Sequence, residues 1–405
     1  MAFDVDEVRK QFPALAGGVA HFDGPGGSQT PQLVATAVAE TMCASVSNRG
    51  RVTASERHAD DVVLAARSAV ADLLGADAGG VVFGRSMTQL TYDFSRALAK
   101  TWGPGDEVVV TRLDHDANVR PWAQAAEYAG ATLRWADFDP ATGELDVASL
   151  IDGLNPRTRL VAVTAASNLI GTRPDVRAIA DAAHAVGALV YVDGVHYTAH
   201  AFVDVDSFGA DFFGCSPYKF FGPHCGVLAA RPELLESVHA DKLLPSTDDV
   251  PERFELGTLP YELLAGTTAA VDFIASLGEG STRRDALHSA YNALEKHEDA
   301  LRERLESELG DMEGVTLYSR AQRRTPTLLF ALDDVESSEV HRVLADRDIN
   351  APASSFYALE ASRRLGLGDT GAVRVGLAPY TTDHEIDRLV AAIRDLRSGA
   401  DPRPV

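Results

Sequence analysis

The chain has 405 residues, 45% of them apolar, enough to bury a large core and long enough for more than one domain. Its formal net charge is −22, so no broad face can neutralise phosphates and nucleic acid is excluded as a partner. There is no run of about 18 apolar residues and no charged-then-apolar leader, so the expectation is a cytoplasmic protein with no membrane partner.

Helical and strand patterns alternate along the chain. Residues 31–47 and 55–75 have helical periodicity, 80–83 form a short apolar strand, and 88–100 read as a helix. Strand 107–111, helix 118–129, strand 132–135, strand 160–164, helix 175–186 and strand 189–192 follow, then short strands at 211–214 and 225–229. This alternation predicts an α/β fold, a mostly parallel sheet sandwiched by helices. From about residue 280 the pattern changes. A charged helix at 283–309, strand 327–331, helix 337–346, strand 372–377 and helix 383–397 predict a smaller α+β C-terminal domain. The expected division is 28–279 for the large domain and 280–405 for the small one, with 1–27 packing against the latter. The tail 401–405 is expected to fray. Three cysteines make neither a disulfide framework nor a metal site, and Cys43 and Cys215 are expected in the core.

Lys219 stands out among the five lysines. The other four lie in polar or helical contexts, whereas Lys219 sits among aromatics before a Gly-Pro turn. Apolar surroundings disfavour the ammonium form and make the amine a nucleophile near neutral pH. A lysine that snorkels its head to water is the alternative at this point. Ligands of open α/β sheets sit beyond the carboxyl ends of the strands, so the residues following each apolar run matter. Ser86, Met87 and Thr88 follow the first strand and open a helix. They form either an anion site of free N–H groups or an ordinary N-cap. His115 and Asp116 follow the second strand, Asn168 follows 160–164, Asp193 and His196 follow 189–192, and Ser216 precedes Lys219. Each alone fits turn chemistry. Together they place an acid, histidines, an amide, hydroxyls and a lysine on one rim.

Pyridoxal 5'-phosphate (PLP) needs such a set: a lysine for its aldehyde, an acid at the ring nitrogen and an anion site. A nicotinamide cofactor would require a Gly-x-Gly-x-x-Gly turn after an early strand, and none follows 80–83 or 107–111.

These motifs resemble fold-type I PLP enzymes of the class V aminotransferase group, and within it the cysteine desulfurase-like proteins. The resemblance rests on DHDANVRPW at 114–122, SNLIGT at 167–172, VDGVH at 192–196, SPYK at 216–219, RFELGT at 253–258 and RVGL at 374–377. It implies the PLP-dependent transferase (aspartate aminotransferase-like) fold and a homodimer with shared active sites. It also implies roles. Lys219 forms the Schiff base, Asp193 partners the pyridine nitrogen, and His196 and Asn168 face the phenolic oxygen. Thr88, Ser216 and the Met87 N–H cradle the phosphate, with Ser86 in the same turn and Tyr218 able to donate to it. Thr258 reaches the phosphate from the neighbouring subunit, and Arg374 clamps the substrate α-carboxylate with Asn168 beside it.

The departures bear on the reaction. The loop 350–358, where desulfurases carry a nucleophilic cysteine, has none, and Pro352 stands where many relatives have arginine. Asp116 is matched to the ring-stacking histidine of relatives, with His115 beside it as a candidate substrate contact. Tyr218 replaces the histidine before the lysine. Cys225 is expected to be a packed thiol. The expected enzyme is therefore a PLP-dependent β-elimination or C–S lyase acting on an L-amino acid. Aminotransferase or epimerase chemistry is the alternative, and a non-catalytic PLP-binding protein is a third reading.

Overall fold

A computed structural model of the chain describes residues 3–398. The expected frayed tail at 401–405 lies outside the described residues. Strand β1 (Ala20–His21) precedes seven strands that form the main sheet. These are β2 (Val81–Gly84), β3 (Glu107–Thr111), β4 (Thr132–Ala136), β5 (Thr158–Thr164), β6 (Leu189–Asp193), β7 (Phe212–Cys215) and β8 (Gly226–Ala230). Their spatial order is β2-β8-β7-β6-β5-β3-β4, and only β8 runs antiparallel to its neighbours. The sheet is the expected α/β arrangement, with helices on both faces. Strand β6 shows why. Val190 and Val192 enter one apolar cluster while Tyr191 enters the cluster on the opposite face, with Trp122 and Phe212. A strand covered on both sides reads as continuous apolar sequence.

Register places the site. Thr164 pairs with Asp193, and Asp193 pairs with Gly214, so β5, β6 and β7 end level with one another. Polar residues after each strand therefore emerge on one rim.

Strands β9 (Val315–Leu317), β10 (Thr327–Leu332), β11 (Ile349–Asn350), β12 (Ala353–Ser354) and β13 (Ala372–Gly376) belong to the C-terminal unit. Its antiparallel sheet has the order β12-β13-β10-β9, while β1 pairs in parallel with β11. Phe22 is buried with Leu328, Phe330 and Val375 in the core of this unit. The long helix Arg283–Gly310 serves both bodies. Its Leu287, Tyr291 and Leu294 join the large core, and its Leu301, Leu305 and Leu309 join the small one.

One core expectation fails. Cys43 is exposed, at the last position of the helix Gln32–Cys43, which buries only Val34. The helix carries apolar residues on more than one face, so periodicity alone could not tell which of them turns outward. Cys215 and Cys225 are both buried.

Candidate active site

A cavity of about 580 Å³ opens beyond the carboxyl ends of β5, β6 and β7. Twelve of the thirteen residues singled out in the sequence line it: Ser86, Met87, Thr88, His115, Asp116, Asn168, Asp193, His196, Ser216, Tyr218, Lys219 and Arg374. Thr258 does not; it is exposed on the loop before the helix Tyr261–Ser276.

Lys219 follows β7 in a single 3-10 turn opened by Ser216 and Pro217. Its Nζ donates to the Pro25 carbonyl and lies 4.7 Å from the centre of the Tyr218 ring. Burial, reinforced by the charge of Arg374, lowers its pKa to about 7, and Asp193 only partly offsets this. The amine is therefore half neutral near physiological pH, as a nucleophile or base requires.

Asp193 ends β6 and is 4% exposed. Its Oδ1 accepts from the Val195 N–H at 2.9 Å. Burial raises its pKa to about 6, against the opposing pull of that N–H and of Lys219. A second acid, Asp114, is buried close by and accepts from Asn118 Nδ2 at 2.7 Å and from Thr111 Oγ1. Burial raises Asp114 to about 8, so it is mainly protonated at neutral pH and Asp193 carries the negative charge.

Arg374 on β13 is 2% exposed, and burial lowers its pKa to about 9, which leaves it cationic. Its Nη1 donates to the Asn168 carbonyl at 2.9 Å, the Phe356 ring lies 3.7 Å from its guanidinium carbon, and its Nε has no partner among the described residues. Asn168 donates Nδ2 to the Phe356 carbonyl at 2.9 Å, while its Oδ1 is buried and unpaired among the described residues. Burial lowers His115 to about 4, with Lys219 and Arg374 acting in the same direction, so its ring is neutral. It stacks on Tyr357 at 5.5 Å. Asp116 lies at the cavity wall with its carboxylate held by Arg120 at 3.0 Å, an arrangement that leaves His115 as the flat ring in the pair.

The helix Met87–Ala99 starts at the rim with Ser86 as its N-cap, and Ser86 Oγ accepts from the Gln89 N–H at 3.1 Å. The N-cap reading of this turn is shown; the cap uses one donor, and the first-turn N–H groups of Met87 and Thr88 have no helical acceptor, which keeps the anion-site reading open. Gly226 lets β8 approach this turn closely. A Cβ there would lie 2.2 Å from the Ser86 carbonyl carbon.

Several lining residues were not anticipated. Pro25, Tyr92 and Arg120 line the cavity, and Thr325 and Thr327 contact His196 from behind; Phe356 and Tyr357, which also line it, come from the 350–358 loop already singled out. The Gly-Pro-Gly-Gly run at 24–27 was a visible turn signal, but its contact with Lys219 is long-range.

The donor set fits PLP. An amine of depressed pKa, a buried ionised carboxylate, a helix start with free N–H groups and an unpaired buried amide oxygen converge on one cavity of adequate size. The family model for aminotransferase class-V matches residues 20–389. The chain belongs to this family. An uncharacterized protein of Mycobacterium tuberculosis is 36% identical over 98% of this chain and 100% of its own length. An aminotransferase-like protein of Gibberella zeae is 32% identical over 97% of this chain and 98% of its own. Among solved structures, the cysteine desulfurase CsdA of Escherichia coli superimposes with a TM-score of 0.86 at 28% identity, covering 98% of this chain and 100% of that one. The class V protein is thus desulfurase-like in fold and is a PLP-dependent enzyme. No described helix of the class V chain is long and apolar enough to cross a membrane.

Proposed function

We propose that this class V enzyme is a lyase that expels a β-substituent from an L-amino acid without a cysteine carrier. The observation that carries this reading is the cavity wall formed by the 350–358 loop. Ser354, Phe356 and Tyr357 occupy it, and none of the three cysteines lines the cavity. Burial raises Cys225 to about 11 and Cys215 higher still, so neither thiol supplies a thiolate.

When bound, PLP supplies an aldehyde that takes up an amine and a ring that draws electrons from the substrate Cα. Lys219 holds the aldehyde, Asp193 keeps a proton on the ring nitrogen, and His196 and Asn168 face the phenolic oxygen. Ser86, Met87, Thr88, Ser216 and Tyr218 hold the phosphate end. Arg374 binds the α-carboxylate through two parallel N–H bonds, and the Phe356 ring fixes its plane. With a substrate amine in its place, Lys219 would have its Nζ free to take the proton from Cα. The electron pair released at Cα forms the Cα–Cβ double bond and the β-substituent departs with the Cβ bonding pair. Lys219 returns its proton to solvent or to the leaving group. Lys219 Nζ would then retake the aldehyde carbon as the unsaturated amine leaves with its nitrogen, and water would hydrolyse that amine to a keto acid and ammonia.

Thr258 acts in the partner's site on this reading. Its exposure on the outer surface supports that role, as do the exposed apolar residues Met42, Val52 and Leu256, which a homodimer would cover.

Transamination is the second reading, favoured by the printed name of the Gibberella zeae relative. The two differ in products. Incubation of the holoenzyme with a panel of L-amino acids bearing thiol, selenol, sulfinate and other β-leaving groups is expected to give keto acid and ammonia without pyridoxamine phosphate. Stoichiometric pyridoxamine phosphate would overturn the lyase reading in favour of transamination.

A further inference from the structure

His196 has two ring nitrogens in different surroundings. Nε2 lies 2.9 Å from Thr325 Oγ1 and 3.0 Å from Thr327 Oγ1, both in the C-terminal unit. Nδ1 has no hydrogen-bond partner among the described residues, and the ring lines the cavity. His196 is 3% exposed but its ring lines the cavity, whereas Thr325 (1%) and Thr327 (0%) do not line it, so the two hydroxyl hydrogens need protein acceptors. The ring is neutral. Burial takes its pKa well below the ordinary histidine value, and His200, Arg374 and Lys219 push the same way.

Counting hydrogens distinguishes the two neutral tautomers. The Thr325 hydroxyl has a second acceptor, the Gly171 carbonyl at 3.4 Å. The Thr327 hydroxyl has no acceptor among the described residues except His196 Nε2. With a proton on Nε2, the Thr327 hydrogen would be stranded without an acceptor. With Nε2 bare, Thr327 donates to it, Thr325 donates to Gly171, and the ring proton sits on Nδ1.

We propose that Thr327, backed by Thr325, is a positioning residue that holds neutral His196 as the Nδ1–H tautomer, so that the ring offers a hydrogen-bond donor to an oxygen of the group in the cavity. On the assignment of His196 given above, on which this part rests, that oxygen is the phenolic oxygen of PLP. A donor there favours the phenolate and lowers the pH at which the bound chromophore titrates. The small unit would thereby set an electronic property of a cofactor held by the large one. The charged and titratable groups facing His196 are Lys219 from the turn after β7, Arg374 from β13, and His200, whose ring lies 4.9 Å away. His200 Nδ1 is in turn 3.0 Å from Glu298 on the long helix. None of these four changes in the variants below.

The tautomer is measured in the cofactor-free protein by long-range proton–nitrogen NMR of ¹⁵N-labelled side chains, with His196→Gln assigning the ring. The expected spectrum shows a protonated Nδ1 and a bare Nε2 for His196. Thr327→Val is expected to move the ring toward Nε2–H, Thr327→Ser to leave it unchanged, and Thr325→Val to have the smaller effect. In the holoenzyme, Thr327→Val is expected to raise the pH midpoint of the visible band by about half a unit or more, and Thr327→Ser to restore it. A protonated Nε2 in the wild type overturns the inference, as does a Thr327→Val spectrum identical to wild type. Failure of the purified protein to form the visible band would count against the cofactor assignment and leave the tautomer result standing by itself.

Discussion

Lys219 combines three influences that a surface lysine lacks. Burial dominates, the neighbouring Arg374 cation adds to it, and Asp193 opposes both. The result has a consequence for the cofactor-free protein. The folded-state pKa of about 7 lies below the unfolded value of about 10.4, so between these pH values the unfolded chain binds more protons. Stability attributable to this residue therefore rises with pH across that window, and the full penalty is present below pH 7. Lys219→Met removes the penalty. The cofactor-free variant is expected to be more stable than the cofactor-free wild type at pH 6, by up to roughly 4 kcal/mol, with the gap closing toward pH 10. Denaturant titrations at several pH values measure this, and parallel curves for the two proteins would contradict it. The buried pair Asp114 and Asp193 shows the same logic in acids. Burial raises both carboxyls, Asp114 further than Asp193, so one is mainly protonated and the other charged.

The 350–358 loop forms part of the cavity wall and contains no cysteine. Phe356 and Tyr357 both have positive φ, at 51° and 58°, which costs an L-residue about 1–2 kcal/mol each. Specific contacts hold them there. Asn168 donates to the Phe356 carbonyl, the Asp116 N–H donates to the Tyr357 carbonyl at 2.7 Å, and the two rings lie on Arg374 and His115. Strain maintained by contacts to site residues marks the loop as part of the site. Phe356→Ala removes the ring over the Arg374 guanidinium, proposed above to bind the substrate carboxylate, a contact worth about 1 kcal/mol. Amino-acid binding, followed through the visible band of the holoenzyme, is expected to weaken about fivefold, with PLP retention unchanged. Unaltered amino-acid affinity would remove Phe356 from the substrate site.

At the scale of the whole molecule, the large sheet was the most legible feature. Apolar runs such as 107–111 and 189–192 are buried on both faces, and their composition alone marks them as strands. The rim residues were legible for the same reason, because a polar residue directly after a buried strand has one place to go. Other features depend on contacts between distant segments. The helix Tyr261–Ser276 escaped notice because it is apolar nearly all round, packed between helices with little periodic contrast. The Pro25 contact with Lys219 and the Thr327 contact with His196 join residues 194 and 131 positions apart, which no local pattern encodes. Asp116 and His115 are adjacent, and only the backbone turn decides that Arg120 takes the carboxylate while the histidine ring stacks on Tyr357. Five lysines compete in principle for one aldehyde, and the fold buries only one of them in a cavity with a buried carboxylate and an unpaired arginine nitrogen. Borohydride reduction of the holoenzyme followed by peptide mass mapping of the whole chain tests this directly. Loss of the visible band and one pyridoxyl adduct, on Lys219, are expected; an adduct on Lys10, Lys100, Lys242 or Lys296, or no adduct at all, would contradict the assignment of Lys219.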